Sequence, residues 1–99
     1  MYASVRQYIV SRDHAQVDEA AHEVKTGLGP ILSKAPGFVA YYVLDAGNNA
    51  VVAISIFESK AAEAKAEEMA ASWIKQHMAS LASSPPRVAE GEVIAHEAK

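Results

Sequence analysis

Trp73 and His77 are the first residues in this chain whose types and spacing could do chemistry. They lie in an alanine-rich segment of helical composition, where a spacing of four residues places both on one face. The indole can form the wall of an apolar cleft, and the imidazole can act as an acid, a base or a ligand. Packing in the core is the alternative for both, because a lone Trp on an apolar helix face is more often a core residue.

Arg6 and Tyr8 are the second candidates, since they share one face of a segment with strand composition. A cation beside a phenol can orient an anionic quinol or enolate. The alternative is an ion pair between Arg6 and Glu90 or Glu92 on a neighbouring strand. Tyr42 is a further candidate for binding a substrate. Both faces of its strand are apolar, so the pattern leaves open which face lines a cleft.

No metal, cofactor or nucleic-acid partner is predicted. None of the four histidines has a recognised metal spacing with a carboxylate, and the absence of cysteine removes thiolate ligands and nucleophiles. Glu67 and Glu68 are interpreted as a solvated helix face. The net charge is −3 and the nine basic residues are scattered, which offers no electrostatic footprint for nucleic acid or an anionic membrane.

A β-hairpin at the centre of the chain must position these side chains. Residues 38–44 and 50–57 are rich in Val, Tyr, Phe and Ile, and Gly47 with two asparagines supplies the left-handed conformations of the turn at residues 45–49. Simple alternation places two apolar sets on opposite sides: Val39, Tyr41 and Val43 on one, and Phe38, Ala40, Tyr42 and Leu44 on the other. The sheet therefore needs a cover on both faces.

The remaining elements flank this hairpin. Residues 2–10 predict a first strand, and a helix beginning near Asp13 follows, with Pro30 in a kinked last turn or in a separate short one. A long helix begins after Phe57, and residues 87–96 predict the last strand. The predicted apolar stripes are Val17, Ala21, Val24 and Leu28 in the first helix, and Ala62, Ala66, Met69, Trp73, His77 and Leu81 in the second. The predicted solvated positions of the second helix are Lys60, Glu63, Glu67 and Lys75.

The element order β-α-β-β-α-β predicts an α+β fold of the ferredoxin-like sandwich type over the single domain 1–99. Its antiparallel four-stranded sheet carries both helices on one face. The other face of the sheet is apolar and uncovered within the chain, which predicts a homodimer. The N-terminus MYASVRQYIV lacks a charged region before its apolar run, and no stretch reaches membrane-spanning length. A cytoplasmic location without membrane attachment is expected.

Four markers carry a resemblance to a known family: PGF at residues 36–38 leading into YYVLD, ISIFES at residues 54–59 running into an alanine-rich helix, the single Trp73, and GEVIAH at residues 91–96. With these markers the chain resembles the antibiotic-biosynthesis-monooxygenase-like proteins of the dimeric α+β barrel superfamily. The resemblance implies a two-sheet barrel across a two-fold axis and a cleft between the helices and the sheet of each subunit.

Two functions follow as hypotheses. The resemblance implies a cofactor-independent monooxygenase for a small apolar or aromatic substrate, such as a quinol or a polyketide, with His77 and Arg6 as catalytic residues. Haem-degrading members of the family combine a Trp and a His with an Asn on the first strand, where this chain has Arg6 and Gln7. The competing hypothesis is a non-enzymatic homodimer that binds a small ligand or is purely structural.

Overall fold

The computed structural model describes residues 1–9, 22–48, 50–77 and 86–99. Its strands are β1 (Tyr2–Ile9), β2 (Phe38–Gly47), β3 (Ala50–Phe57) and β4 (Arg87–Glu92). Its helices are a π-helical segment (Val24–Leu28) that continues into α1 (Gly29–Ser33), and α2 (Lys60–His77). The strands form one antiparallel sheet in the order β2-β3-β1-β4. The predicted ferredoxin-like α+β fold is confirmed.

The boundaries of several elements differ from the prediction. The last strand ends at Glu92 and not at His96. The first hairpin strand, β2, extends further than predicted, because it continues to Gly47 and leaves a shorter turn, whereas β3 has the predicted bounds. Gly47 (φ +78°) and Asn48 (φ +52°) both adopt the predicted left-handed conformation. Positions 10–21, 49 and 78–85, which include predicted helix residues, lie outside the described part of the chain.

A β-bulge at Val39 changes which residues of β2 share a face. Phe38 pairs with Phe57 and Ala40 with Ile56, so Val39 has no partner in the ladder. Phe38 therefore points to the same side as Tyr41, and its ring packs edge-to-face on Phe57 with the ring centroids 5.7 Å apart. The expectation that Phe38 joins Tyr42 on one face is wrong, because simple alternation does not continue through a bulge.

The core lies between the helices and one face of the sheet. Its buried residues are Val24, Leu28, Leu32, Phe57, Ala66 and Trp73. Phe38, Tyr41 and Val43 of β2 pack against it. Full burial of a Leu or Phe side chain contributes about 1.5–3 kcal/mol, so this single cluster accounts for the position of both helices on the sheet. Among the described helices, none is long and apolar enough to cross a bilayer.

Helix α2 begins where Ser59 caps it, since the Ser59 hydroxyl accepts a hydrogen bond from the Ala62 N–H at 3.1 Å. The buried face of α2 differs from the predicted stripe. Ala66 and Trp73 are buried as expected, but Met69 is 37% exposed. Glu63, expected in solvent, is only 3% exposed. The small alanines bring α2 close to the sheet, so the longer glutamate side chains on its inner edge reach across to β1.

Candidate functional site

A cleft opens between α2 and the helix-facing side of the sheet. It consists of a deep cavity of about 30 Å³ and an outer cavity of about 250 Å³. The two share the lining residues Arg6, Tyr8, Glu67, Ala70 and Ile74. Water fits the deep part, and the outer part has the volume for a small organic molecule. A mostly apolar wall with a few polar groups is typical of a site for a small aromatic ligand.

Arg6 and Tyr8 both face the helices and line this cleft, which shows which face of the first strand is turned toward the helices. Register explains their position. Arg6 pairs with Ala53 and Tyr8 with Val51 across β1 and β3, on the same face as the buried Ser4. The small Ala53 opposite Arg6 leaves room for the guanidinium above the sheet. The structure therefore brings the cation and the phenol together in one cleft.

Arg6 forms its ion pair with Glu67 of α2, and not with Glu90 or Glu92 as the alternative prediction had it. Both side chains are about three-quarters buried, with exposed fractions of 24% for Arg6 and 26% for Glu67. Glu67 is thus part of the cleft wall, which corrects its interpretation as a solvated position. The pair spans from the sheet to the helix and closes one side of the cleft.

Tyr41 is a cleft residue that the sequence left unresolved. It pairs with Ser55 on β3 and lines the deep cavity. Burial, with a smaller contribution from the nearby Tyr8, raises the pKa of the Tyr41 phenol to about 12, although Arg6 opposes the shift. Tyr41 is therefore a neutral phenol at physiological pH, able to donate a hydrogen bond into the cavity.

Glu63 is a buried carboxyl group at the inner end of the same cleft. Burial raises its pKa most, and the negative charge of Glu90 adds to the effect. Arg6 and the Ser4 hydroxyl lower it. A carboxyl group with a raised pKa takes up a proton more readily than a carboxyl group in water does.

Trp73 lies in the core and outside the described lining of both cavities. Its ring covers Gly27 so closely that a Cβ atom on Gly27 would be 2.5 Å from Trp73 Cζ2. The neighbouring side chain, Ile74, forms the cavity wall instead. The surroundings of Trp73 therefore support the alternative interpretation, in which its side chain packs in the core.

His77 is exposed at the end of α2 and likewise lies outside the described cavity lining. Its ring stacks on Trp73, with the centroids 4.7 Å apart and the planes at 19°. Its Nδ1 atom donates a hydrogen bond to the Trp73 carbonyl oxygen at 2.9 Å. The imidazole thus satisfies a carbonyl of the last helical turn. The structure therefore does not bring His77 together with Arg6 and Tyr8.

Tyr42 points away from the helices and is 55% exposed on the outer face of the sheet. It pairs with Ile54, and Leu44 beside it pairs with Val52, so its neighbours on that face are apolar. The structure separates Tyr42 from the cleft of its own chain. Its neighbour Tyr41 occupies the position that the prediction gave to Tyr42.

The fold and the cleft together define a class: ferredoxin-like α+β proteins with a cleft between the helices and the sheet. No family model matches the chain, and no curated protein matches it in sequence. Solved structures match it over nearly its whole length. A monooxygenase from the gene ActVA-Orf6 of Streptomyces coelicolor, in complex with the ligand nanaomycin D, is 16% identical with a TM-score of 0.80, covering 99% of this chain and 91% of its own.

Two further structures have the same fold. SnoaB, a cofactor-independent oxygenase from Streptomyces nogalater, is 16% identical with a TM-score of 0.72, covering 96% of this chain and 94% of its own. A dimeric ferredoxin-like protein from an uncultured marine organism is 12% identical with a TM-score of 0.75, covering 99% of this chain and 91% of its own. The chain therefore has the fold of antibiotic-biosynthesis-monooxygenase-like proteins, as the resemblance implied. At these identities the likeness concerns the fold.

Proposed function

We propose that this protein is a cofactor-independent monooxygenase that acts on a small apolar or aromatic substrate, of the quinol or polyketide type, in the cleft between α2 and the sheet. The observation that carries the proposal is the convergence of Arg6, Tyr8 and Tyr41 on one mostly apolar cavity. The occurrence of monooxygenases among proteins of the same fold adds support.

The proposed roles follow from charge and hydrogen-bonding capacity. The Arg6 guanidinium holds the oxygen of a substrate phenolate or enolate and stabilises that anion. Tyr41, kept neutral by its raised pKa, donates a hydrogen bond to a second oxygen of the ring system. Tyr8 borders the outer cavity and packs against the ring. Arg6 exchanges its contact with Glu67 for the substrate oxygen when the substrate enters.

The reaction balances without a further reductant. In an anthrone-like substrate, the anion reacts with molecular oxygen at the activated ring carbon, and its CH₂ group becomes a carbonyl. One oxygen atom enters the product, and the other leaves as water with the two hydrogen atoms of the CH₂ group. The protein has to bind the substrate, stabilise its anion and keep the reacting carbon out of bulk water.

Oxygen uptake with a panel of anthrones and quinols tests the proposal, with product mass as the second readout. We expect turnover of at least one panel member, and Arg6→Met to lower kcat/KM by tenfold or more, since it removes the charge opposite the anion. Arg87→Met, at an exposed arginine of β4, is the matched control and should retain activity. Absence of uptake from every compound, or an equal loss in both variants, contradicts the proposal.

A non-enzymatic ligand-binding protein is the second candidate, and the Arg6–Glu67 pair favours it, because this pair already neutralises the cation of the cleft. The fluorescence of the single Trp73, next to the cavity residue Ile74, reports on occupancy of the cleft. Saturable quenching by a quinol in the absence of oxygen uptake identifies this function. Quenching accompanied by uptake identifies the enzyme.

We further propose that the outer face of the sheet is covered by a second copy of the chain, giving a homodimer. Val5, Ile9, Val39, Tyr42 and Leu44 are 37–55% exposed on the described chain. A contiguous apolar face of this kind is typical of an obligate interface, which buries about 2,000 Å² or more.

Light scattering coupled to size exclusion tests the dimer. Tyr42→Asp places a charge in the proposed interface and should give a folded monomer. Tyr41→Asp, the matched change on the other face, should unfold the chain, because it buries a charge against the core. A wild-type mass of 10.6 kDa at micromolar concentration contradicts the dimer.

A further inference from the structure

Three carboxyl groups meet at the inner end of the cleft. Glu63 and Glu67 lie one helical turn apart on α2, and Glu90 reaches them from β4. One oxygen atom from each of the three lies within 4.8 Å of the others. Two ligands of a shared ion at 2.3–2.6 Å can be at most about 5 Å apart, so the three oxygens are close enough to bind one ion.

The Ser4 hydroxyl points to a missing ligand at this place. Ser4 is 1% exposed, and no described atom forms a hydrogen bond of good geometry with its Oγ. It pairs with Glu90 across β1 and β4, and it lies close enough to Glu63 to favour the ionised carboxylate. A bound cation would accept a lone pair of this buried oxygen and so supply the partner that the described atoms do not.

We propose that Ser4, Glu63, Glu67 and Glu90 form a binding site for one divalent cation of the hard, oxygen-preferring class, namely Mg²⁺, Ca²⁺ or Mn²⁺. The ligand chemistry selects this class, because all four groups offer oxygen, and the cluster found among the described residues includes no nitrogen or sulfur ligand. This site adjoins the proposed substrate site, because Glu63 and Glu67 line the same cleft as Arg6. The proposed oxygenase chemistry itself uses no metal.

The charge of the cluster matches a divalent ion. The three carboxylates carry three negative charges, and Arg6, paired with Glu67, contributes one positive charge. The remaining two negative charges equal the charge of one such cation. Carboxylates held within 4.8 Å repel one another, and a divalent cation between them would offset that repulsion.

A path for the ion exists through β4, an edge strand of the sheet on which Glu90 is exposed. Glu90 can capture a hydrated ion from solvent and pass it to the largely buried Glu67 and the buried Glu63. Water molecules complete the coordination sphere on the exposed side, as Mg²⁺ and Ca²⁺ both tolerate. A partly open site with three carboxylates places the expected dissociation constant in the range of about 10⁻⁵–10⁻³ M.

Isothermal titration of the full chain, stripped of metal with a chelator, tests the site with MnCl₂, CaCl₂ and MgCl₂ as separate probes. We expect one saturable site per chain. Electron paramagnetic resonance of Mn²⁺ provides a second readout, in which the free-ion signal decreases in proportion to occupancy. No saturable binding of any of the three ions up to about 10 mM would overturn the proposal and leave a proton on Glu63 as the counter-charge.

Matched variants locate the ion. Glu63→Gln keeps the side-chain shape and should weaken Mn²⁺ binding by tenfold or more, and Ser4→Ala should weaken it several-fold. Glu68→Gln, at an exposed glutamate of the same helix, should leave it unchanged. If Glu63→Gln does not fold, Glu90→Gln on the exposed strand replaces it. An equal effect of Glu68→Gln and the cluster variants would refute the assignment.

Discussion

Substitution of Gly27 by Ala should destabilise the protein, although Ala is the better helix residue. A Cβ atom at Gly27 would lie 2.5 Å from Cζ2 of Trp73 and 3.0 Å from two further indole atoms. Ordinary carbon contacts are about 3.5–4.0 Å, so the added methyl group overlaps the ring by about 1 Å. Overpacking of this kind lowers the free energy of unfolding by about 1–3 kcal/mol, and the higher helix propensity of Ala offsets about 1 kcal/mol of that loss.

The expected net loss is therefore about 1 kcal/mol in the free energy of unfolding, which lowers Tm by about 4–8 °C for a domain of this size. Urea unfolding followed by far-UV circular dichroism at a fixed protein concentration measures it. Gly91→Ala is the control, because a Cβ atom there meets nothing within 4 Å. An increase in stability for Gly27→Ala would refute the packing of Trp73 against Gly27.

A double-mutant cycle tests whether the contact between Trp73 and the added methyl group at Gly27 causes the loss of stability. Trp73→Phe removes the ring atoms that approach Gly27 most closely, so Gly27→Ala in this background should be neutral or stabilising by up to about 1 kcal/mol. Trp73→Phe alone should reduce stability and leave ligand binding in the cleft intact, because Trp73 belongs to the core and not to the described cavity lining. Loss of the destabilising effect of Gly27→Ala in the Trp73→Phe background is the diagnostic result.

Two further predictions concern Tyr41 and Gly37. The raised pKa of Tyr41, about 12, means that the native state keeps this phenol neutral more strongly than the unfolded state does. Its contribution to stability is therefore fully present below pH 10 and is lost as pH rises toward 12. Absorbance at 295 nm should show a late-titrating tyrosine that Tyr41→Phe removes. Gly37→Ala should destabilise by about 1–3 kcal/mol in urea, because its φ is +80° and its Cβ atom would lie 2.8 Å from that of Ala62. Gly47→Ala, at a similar φ but with nothing within 4 Å, measures the backbone part alone.

The sequence predicted the element order, the hairpin and the burial of Val24 and Leu28, because turn chemistry and helical spacing are local properties. It left Tyr41 and Tyr42 undecided. Their strand is apolar on both faces, and the bulge at Val39 that aligns Phe38 with Tyr41 has no local signature in a run of apolar residues.

The carboxyl cluster could not be predicted for a different reason. Glu63 was expected in solvent because a charged residue beside an alanine stripe usually is, and only the close approach of α2 to the sheet buries it. Glu90 comes from β4, at the far end of the chain from the Ser4 with which it pairs. Pairing between strands that are far apart in the sequence brings these groups together, so residue spacing along the chain does not predict the cluster.

The two edges of the sheet also control how copies of the chain can associate. An open strand edge invites lateral pairing into fibres, yet β2 is bulged near both of its ends, and β4 is short and carries Arg87, Glu90 and Glu92. Both edges therefore resist strand addition. Face-to-face contact of two sheets closes on itself, whereas edge-to-edge contact propagates without limit. A variant that replaces the charges of β4 with valine would be expected to exchange the proposed closed dimer for an open-ended assembly.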